Sequence, residues 1–235
     1  MSKSSVVAVV PAAGQGTRMG GAAPKQYLTL GGLPLLVLSL KVLQRIESIR
    51  EIILSVPEHD RDYCWREIVQ PFGLGKVTHI VAGGQRRQDS VRNGLFSISD
   101  PPDLVLIHDG VRPFIQEDIV EKSISCAEHT GAAVVAMPMH DTVKRVNAQR
   151  VIQETLNREE LWQIQTPQIF RYDWLIAAHQ QAQEENWDVT DDAALIERKG
   201  HHVYVVEGSC FNIKITRPED LIFGEAILQR IKTNP

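Results

Sequence analysis

Two cations, Arg18 and Lys25, stand in a run of small residues, and a carboxylate, Asp109, follows a short apolar segment. These are the residues whose types and spacing could do chemistry. The small residues are Pro11, Ala12, Ala13, Gly14 and Gly16, directly behind the apolar stretch Val6 to Val10. They let the backbone come close to a ligand, with N–H groups free to point at phosphate oxygens. A loop that only holds a pyrophosphate can rely on those N–H groups. Fixed positive charge belongs where negative charge grows on a phosphoryl group in a transition state. The stretch therefore reads as a polyphosphate site that reacts. Asp109 ends the run Leu104 to Ile107, with Arg112 close behind. A carboxylate facing a triphosphate repels it unless a cation lies between them. Magnesium takes few carboxylates and several phosphate oxygens, so Asp109 is a candidate metal ligand. The same residue also suits a turn that caps the next helix.

Two familiar nucleotide loops are excluded. Gly-x-x-x-x-Gly-Lys-Ser/Thr does not occur here. In Gly-x-Gly-x-x-Gly, Met19 occupies the third glycine position, and the acidic ribose-binding residue further on is missing.

The elements that must position these groups follow from the apolar pattern. Val6 to Val10, Glu51 to Val56, Val77 to Val81, Leu104 to Ile107 and Ala132 to Met137 read as strands, the first a β-branched run of the kind buried on both faces. Helices are predicted over 33–46, 59–70, 117–129 and 172–184, with another carrying Ser90 and another opening at Thr190. The alternation predicts an α/β fold: a mainly parallel twisted sheet with helices on both faces, and ligands at the carboxyl ends of the strands. Residues 212–216 alternate like a strand. Thr216 to Glu219 has the form of a capping box that starts a last helix, burying Phe223, Ile227 and Ile231. Around Asn147 to Gln149, two polar alternating segments between Asp141 and Asn157 predict a hairpin with little core of its own, which must pack on something else to be stable.

Composition narrows the function. The chain of 235 residues is 43% hydrophobic with a net charge of −4, enough for a sizeable core and contrary to a general nucleic-acid or anionic-membrane binder. Cys64, Cys126 and Cys210 show neither a disulfide framework nor a metal-binding pair, and read as buried free thiols of a reducing compartment. No apolar stretch is long enough to span a membrane, and the first strand leaves no room for a leader peptide. A cytoplasmic location is expected, or the plastid stroma for a mature chain.

The residues then match a family. Ala12-Ala-Gly-Gln-Gly-Thr-Arg-Met-Gly20 with Pro24-Lys25-Gln26-Tyr27 resembles the nucleotidyltransferase loop of the 2-C-methyl-D-erythritol 4-phosphate cytidylyltransferases. Gly83 to Val91 is similar to that family's Gly-Gly-x-x-Arg-x-x-Ser-Val, which implies nucleotide contacts for Gly83, Arg86 and Ser90. His108 to Pro113 resembles His-Asp-Ala-x-Arg-Pro, with Gly110 where alanine is usual. Gln165-Thr166-Pro167-Gln168, Thr190-Asp191-Asp192-Ala193 and Asn212-Ile-Lys-Ile-Thr216 complete the resemblance over nearly the whole chain.

What the resemblance implies is a single Rossmann-like nucleotidyltransferase domain over 1–235, with 138–160 as a β-arm that hooks onto a second subunit. The implied reaction transfers CMP from CTP to 2-C-methyl-D-erythritol 4-phosphate with Mg²⁺, in non-mevalonate isoprenoid biosynthesis. Arg18 and Lys25 would stabilise the transition state. Lys214 and Arg158 would position the attacking phosphate, with Arg158 and Thr142 supplied by the partner's arm. Pro11, Ala12, Ala13, Gly14, Gly16, Gly83, Arg86 and Ser90 would bind the nucleotide. Asp109, Arg112, Thr166 and Thr190 would face the substrate, and Asp109 would hold the metal. Two other readings stand beside this one: a ribitol-5-phosphate cytidylyltransferase, and a non-catalytic nucleotide-binding domain.

Overall fold

The structure is a computed structural model that describes residues 4–14 and 24–233. Its first strand, β1 (Val6–Pro11), explains why the apolar run has no polar alternation. Val6, Ala8 and Val10 point into one core, and Val7 and Val9 into another on the opposite face. The first core is closed by α1 (Leu35–Arg45) and α4 (Glu117–Thr130) through Leu36, Leu40, Leu43, Val120 and Ile124. The second is closed by α3 (Arg87–Phe96), α5 (Tyr172–Glu184) and α6 (Ala193–Arg198) through Val91, Leu95, Leu175, Ala178, Leu195 and Ile196. Each such side chain contributes about 1.5–3 kcal/mol when fully buried.

The sheet runs β11-β7-β10-β6-β1-β4-β5. Here β4 is Ile49–Val56, β5 Val77–Ala82, β6 Leu104–Ile107, β7 Ala132–Pro138, β10 Trp162–Arg171 and β11 Tyr204–Glu207. Every pairing is parallel except those of β10, which lies antiparallel between β6 and β7. The sequence pattern assigns no element to 161–170, and the strand that forms there contains Pro167. The structure accommodates it at a register break between Ile164 and Gln168, where the ladder needs no donor from residue 167.

Several boundaries differ from expectation. Pro34 sits ahead of α1, and Leu33–Pro34 (β3) pairs with Thr29–Leu30 (β2) instead of beginning the helix. Residues 58–69 form a 3₁₀ turn, the short α2 (Arg61–Tyr63) and a π-helical turn. Residues 212–216 belong to no strand; Ile215 N–H donates to the Val111 carbonyl at 2.9 Å. In α7 (Pro218–Thr233) Asp220, not Glu219, caps the start, accepting from the N–H groups of Thr216 and Arg217. Phe223 and Ile231 are exposed. The helix instead docks through Leu221, Ile227 and Leu228 onto Leu30, Leu35 and Ile215. Cys64 is buried, but Cys210 is exposed. The hairpin forms as β8 (Lys144–Val146) and β9 (Ile152–Thr155), with all seven strand residues exposed.

Two helix-ending glycines isolate a packing term. Gly131 ends α4 at φ 87°, and a Cβ there would lie 2.5 Å from the Trp174 ring. Gly200 has φ 82° with nothing within 4 Å of the same position. Gly200→Ala is expected to cost about 1–2 kcal/mol from backbone conformation alone, and Gly131→Ala about 2 kcal/mol more from overlap. Urea unfolding of both variants measures the difference; equal losses would refute the overlap argument.

Candidate active site

The parallel strands deliver their loops to one edge. After β1, Ala12 N–H donates to the Ser55 carbonyl at 2.7 Å, and after β5, Gly83 N–H donates to the Val56 carbonyl at 2.7 Å. The two loops touch: a Cβ on Gly83 would lie 2.1 Å from that of Ala13 and 3.1 Å from Ser90 Oγ. Only glycine permits this approach. Ser90 is buried and ties the second loop together, accepting from Gly84 N–H at 3.0 Å and donating to the Arg86 carbonyl at 3.2 Å. Lys25 opens a 3₁₀ turn (Lys25–Tyr27), its ammonium 3.7 Å from where a Cβ on Gly14 would stand. Pro11, Ala12, Ala13, Gly14, Lys25, Arg86 and Ser90 all line one cleft. Gly16 and Arg18 lie outside the described residues.

Asp109 lies at the end of β6, 5% exposed, among three cations. Its Oδ1 accepts from Arg87 Nε at 2.9 Å, its Oδ2 is 2.7 Å from Lys214 Nζ, and Arg112 Nε is 3.9 Å away. Burial alone would raise its pKa, but Arg87, then Lys214 and Arg112, hold the carboxyl far below the usual range. It is therefore ionised at any physiological pH. The alternative role for Asp109, capping the next helix, does not occur, since α4 begins only at Glu117.

Arg87, which the sequence reading does not single out, stands at the centre of this group. Its Nη1 donates to Asp192 at 2.6 Å, so one guanidinium bridges two buried carboxylates. The signal was present: Gly-Gly-x-x-Arg-x-x-Ser-Val counted from Gly83 falls on Arg87, not Arg86. Arg86 lines the cleft but is bound by Asp89 at 2.8 Å and Asp188 at 3.4 Å.

Behind Asp109 runs a directional hydrogen-bond path. Asp109 N–H donates to Thr166 Oγ1 at 3.1 Å, and Thr166 Oγ1 is 3.0 Å from His108 Nδ1. His108 Nε2 lies 3.1 Å from the Arg112 carbonyl, which can only accept. That fixes the proton on Nε2 and makes Nδ1 the acceptor for the Thr166 hydroxyl. Asn212 joins the same layer, donating to the Thr166 carbonyl at 2.9 Å and accepting from Arg112 Nη1 through its own carbonyl at 2.8 Å. The chain around Lys214 is held to the sheet in this way.

A second cleft of about 490 Å³ opens on the other side of Asp109, lined by Arg112, Thr166, Gln168, Thr190 and Asp191, with Ile164 and Val205 on its apolar wall. Asp191, not Thr190, caps α6, accepting from Ala194 N–H at 3.2 Å. Arg87, Asp109 and Lys214 line both clefts. Thr142 and Arg158 line neither; both are exposed on the arm, and Arg158 Nη1 donates to the His140 carbonyl at 2.7 Å. Among the described residues, no three of His, Cys, Asp and Glu gather as a metal cluster. No described helix is long and apolar enough to cross a membrane.

The buried histidine makes stability depend on pH. Burial pushes the His108 pKa down from 6.5 to about 4. The folded state therefore binds fewer protons than the unfolded one between those values. Its contribution is complete above the unfolded pKa, on the order of 3 kcal/mol, and is lost as pH falls toward the folded one. Urea stability is expected to drop through this window, and His108→Asn to remove up to about 1.4 kcal/mol per pH unit of that slope. An unchanged slope in the variant would contradict this. Asp109 and Asp192, both depressed, contribute stability that is lost only at still lower pH.

The family model for 2-C-methyl-D-erythritol 4-phosphate cytidylyltransferase matches residues 6–230. The protein of that name from Syntrophus aciditrophicus is 47% identical over 228 residues, 97% of each chain. That from Clostridium novyi is 46% identical over 233 residues, 99% of this chain and all of the other. The crystal structure of 4-diphosphocytidyl-2C-methyl-D-erythritol synthase from Anaerococcus prevotii superposes with a TM-score of 0.85 at 33% identity, covering 97% of this chain and 100% of that one. Family model, relatives and solved structure agree along almost the full length, and the chain belongs to the 2-C-methyl-D-erythritol 4-phosphate cytidylyltransferase family.

Proposed function

We propose that this chain transfers CMP from CTP to 2-C-methyl-D-erythritol 4-phosphate and releases pyrophosphate, as one nucleotidyltransferase domain in the cytoplasm or plastid stroma. The observation that carries the reading is the wall of Arg87, Asp109 and Lys214 shared by two clefts. One cleft offers small-residue loops and Lys25; the other offers hydroxyls and Arg112.

An oxygen of the acceptor phosphate attacks the α-phosphorus of CTP. A new P–O bond forms there, the bond to the β-phosphate bridge breaks, and its electron pair leaves with pyrophosphate. A phosphate monoester is already anionic at neutral pH, so no strong base is required. The barrier lies in bringing anions together and in charge growing at phosphorus, so positioning and fixed charge supply most of the rate. Lys25 and Arg18 stabilise that charge. Lys214 and Arg112 hold the attacking phosphate, Thr166 and Thr190 offer hydroxyls to the polyol, and Gly83, Arg86 and Ser90 face the nucleoside.

Asp109 suits a magnesium ligand. It is ionised, and two cations on its two oxygens leave lone pairs free, since a carboxylate offers about four acceptor positions. Bound there with phosphate oxygens, Mg²⁺ would neutralise charge between nucleotide and acceptor. The arm completes the site in a homodimer, its exposed Thr142 and Arg158 reaching the neighbouring acceptor cleft.

Pyrophosphate release from CTP tests the reaction, with methylerythritol phosphate, ribitol 5-phosphate or no acceptor, each with and without EDTA. Release is expected only with methylerythritol phosphate and is abolished by EDTA. Release with ribitol phosphate alone moves the specificity, and release with neither overturns the reaction. In the same assay, Lys25→Ala is expected to lose about 10²-fold or more in turnover. Near-normal turnover would remove Lys25 from the chemistry.

Mixing inactive Arg158→Ala and Lys214→Ala proteins tests the arm. If Arg158 acts across a two-fold dimer, random exchange restores about a quarter of the sites. If it acts within its own chain, mixing restores none.

A further inference from the structure

A line of paired side chains runs from the interior of the protein to the shared wall. His179 on α5 and Asp192 ahead of α6 are 0% and 1% exposed, with His179 Nε2 3.1 Å from Asp192 Oδ1. The other oxygen of Asp192 accepts from Arg87 Nη1 at 2.6 Å, Arg87 Nε donates to Asp109 at 2.9 Å, and Asp109 faces Lys214 Nζ at 2.7 Å. Gln168 anchors the inner end, its Oε1 accepting from Asp192 N–H at 3.1 Å.

Two observations separate the middle of this line from the groups that touch ligands. Asp192 lines neither cleft, although its neighbours Asp191 and Ala193 do. Arg87 reaches both, but its Nε and Nη1 are taken by carboxylates, and its Nη2 is buried with no partner. Its two engaged nitrogens are thus aimed at carboxylates and not into a cleft, and the unengaged Nη2 is covered.

We propose that Arg87 and Asp192 are positioning residues for the transfer reaction. His179 and Gln168 hold Asp192, Asp192 holds the guanidinium, and the guanidinium sets the plane of the Asp109 carboxylate against which Lys214 is placed. Arginine is required because its rigid fork meets two carboxylates at once. A lysine ammonium is a point charge on a flexible stem. Lys214 is such a group, and it takes its place from the carboxylate opposite. The inference rests on the reaction proposed above.

The test uses full-length wild type, Arg87→Lys, Asp192→Asn and the double variant. Turnover is read by pyrophosphate release, CTP affinity by calorimetry without acceptor, and folding by thermal unfolding. Each single variant is expected to lose about 10–100-fold in kcat and to raise KM for the acceptor, with CTP affinity within about 3-fold of wild type. The double variant is expected to be no slower than the slower single one, because both act along one path. Arg87→Lys keeps the charge and carries the test alone should Asp192→Asn not fold. Folded Arg87→Lys with kcat within about 3-fold of wild type would overturn the inference. So would CTP affinity falling in step with kcat, or additive losses in the double variant. Wild-type turnover separates this failure from failure of the reaction. If wild type releases no pyrophosphate, the reaction falls and the inference with it; if only the variants are unaffected, the inference falls alone.

Discussion

The site depends on one buried carboxylate. An ionised Asp109 out of water is tolerable only because Arg87, Lys214 and Arg112 surround it. Those three cations come from three separate segments: the start of α3, the segment after residue 212, and the turn beyond β6. Losing one partner would leave charge uncompensated in a low-dielectric layer, where a broken pair costs about 3–5 kcal/mol. The same electrostatics that hold the segments together also line up positive charge along both clefts. Charge compensation and the lining of both clefts draw on the same contacts here.

The topology explains why so many useful side chains meet at one edge. Parallel strands present all their carboxyl ends on one side, which gathers the loops after β1, β5 and β6. The antiparallel β10 adds its opposite end to that side. Gln168 pairs with Ile107 at the end of β6, so β10 brings Thr166 and Gln168 to the edge where the parallel strands stop. Short-range patterning does not reveal this, because it depends on which neighbours a strand inserts between.

Much of the architecture was legible from local signals. The apolar run Val6 to Val10 announced a strand with a core on each face, and the loops behind the strands announced the edge at which a cleft opens. What was missed has common physical causes. Pro167 hid β10, because a proline argues against a central strand unless a register break absorbs it. The alternation over 212–216 suggested a strand, yet the segment is held by side-chain bonds from Asn212 and one backbone bond from Ile215. Phe223 and Ile231 looked like core because helical periodicity shows a stripe without saying where the neighbouring element ends. Arg87 was overlooked in favour of Arg86 because adjacent arginines are equivalent in type. Only the geometry shows that one is held at the rim by Asp89 and Asp188 while the other bridges Asp109 and Asp192.

The wedging of residues 212–216 between Val111 and α7 also bears on how the protein is made. During synthesis on the ribosome, the nucleotide loops and Asp109 emerge long before Lys214. Until α7 has emerged and docked on Leu30 and Leu35, the carboxylate lacks one of its cations and the shared wall has a gap. The nascent chain can bury both faces of its sheet while the charged wall is still incomplete. Completion of the charged edge is thus coupled to the emergence of α7, after every strand of the sheet has left the ribosome.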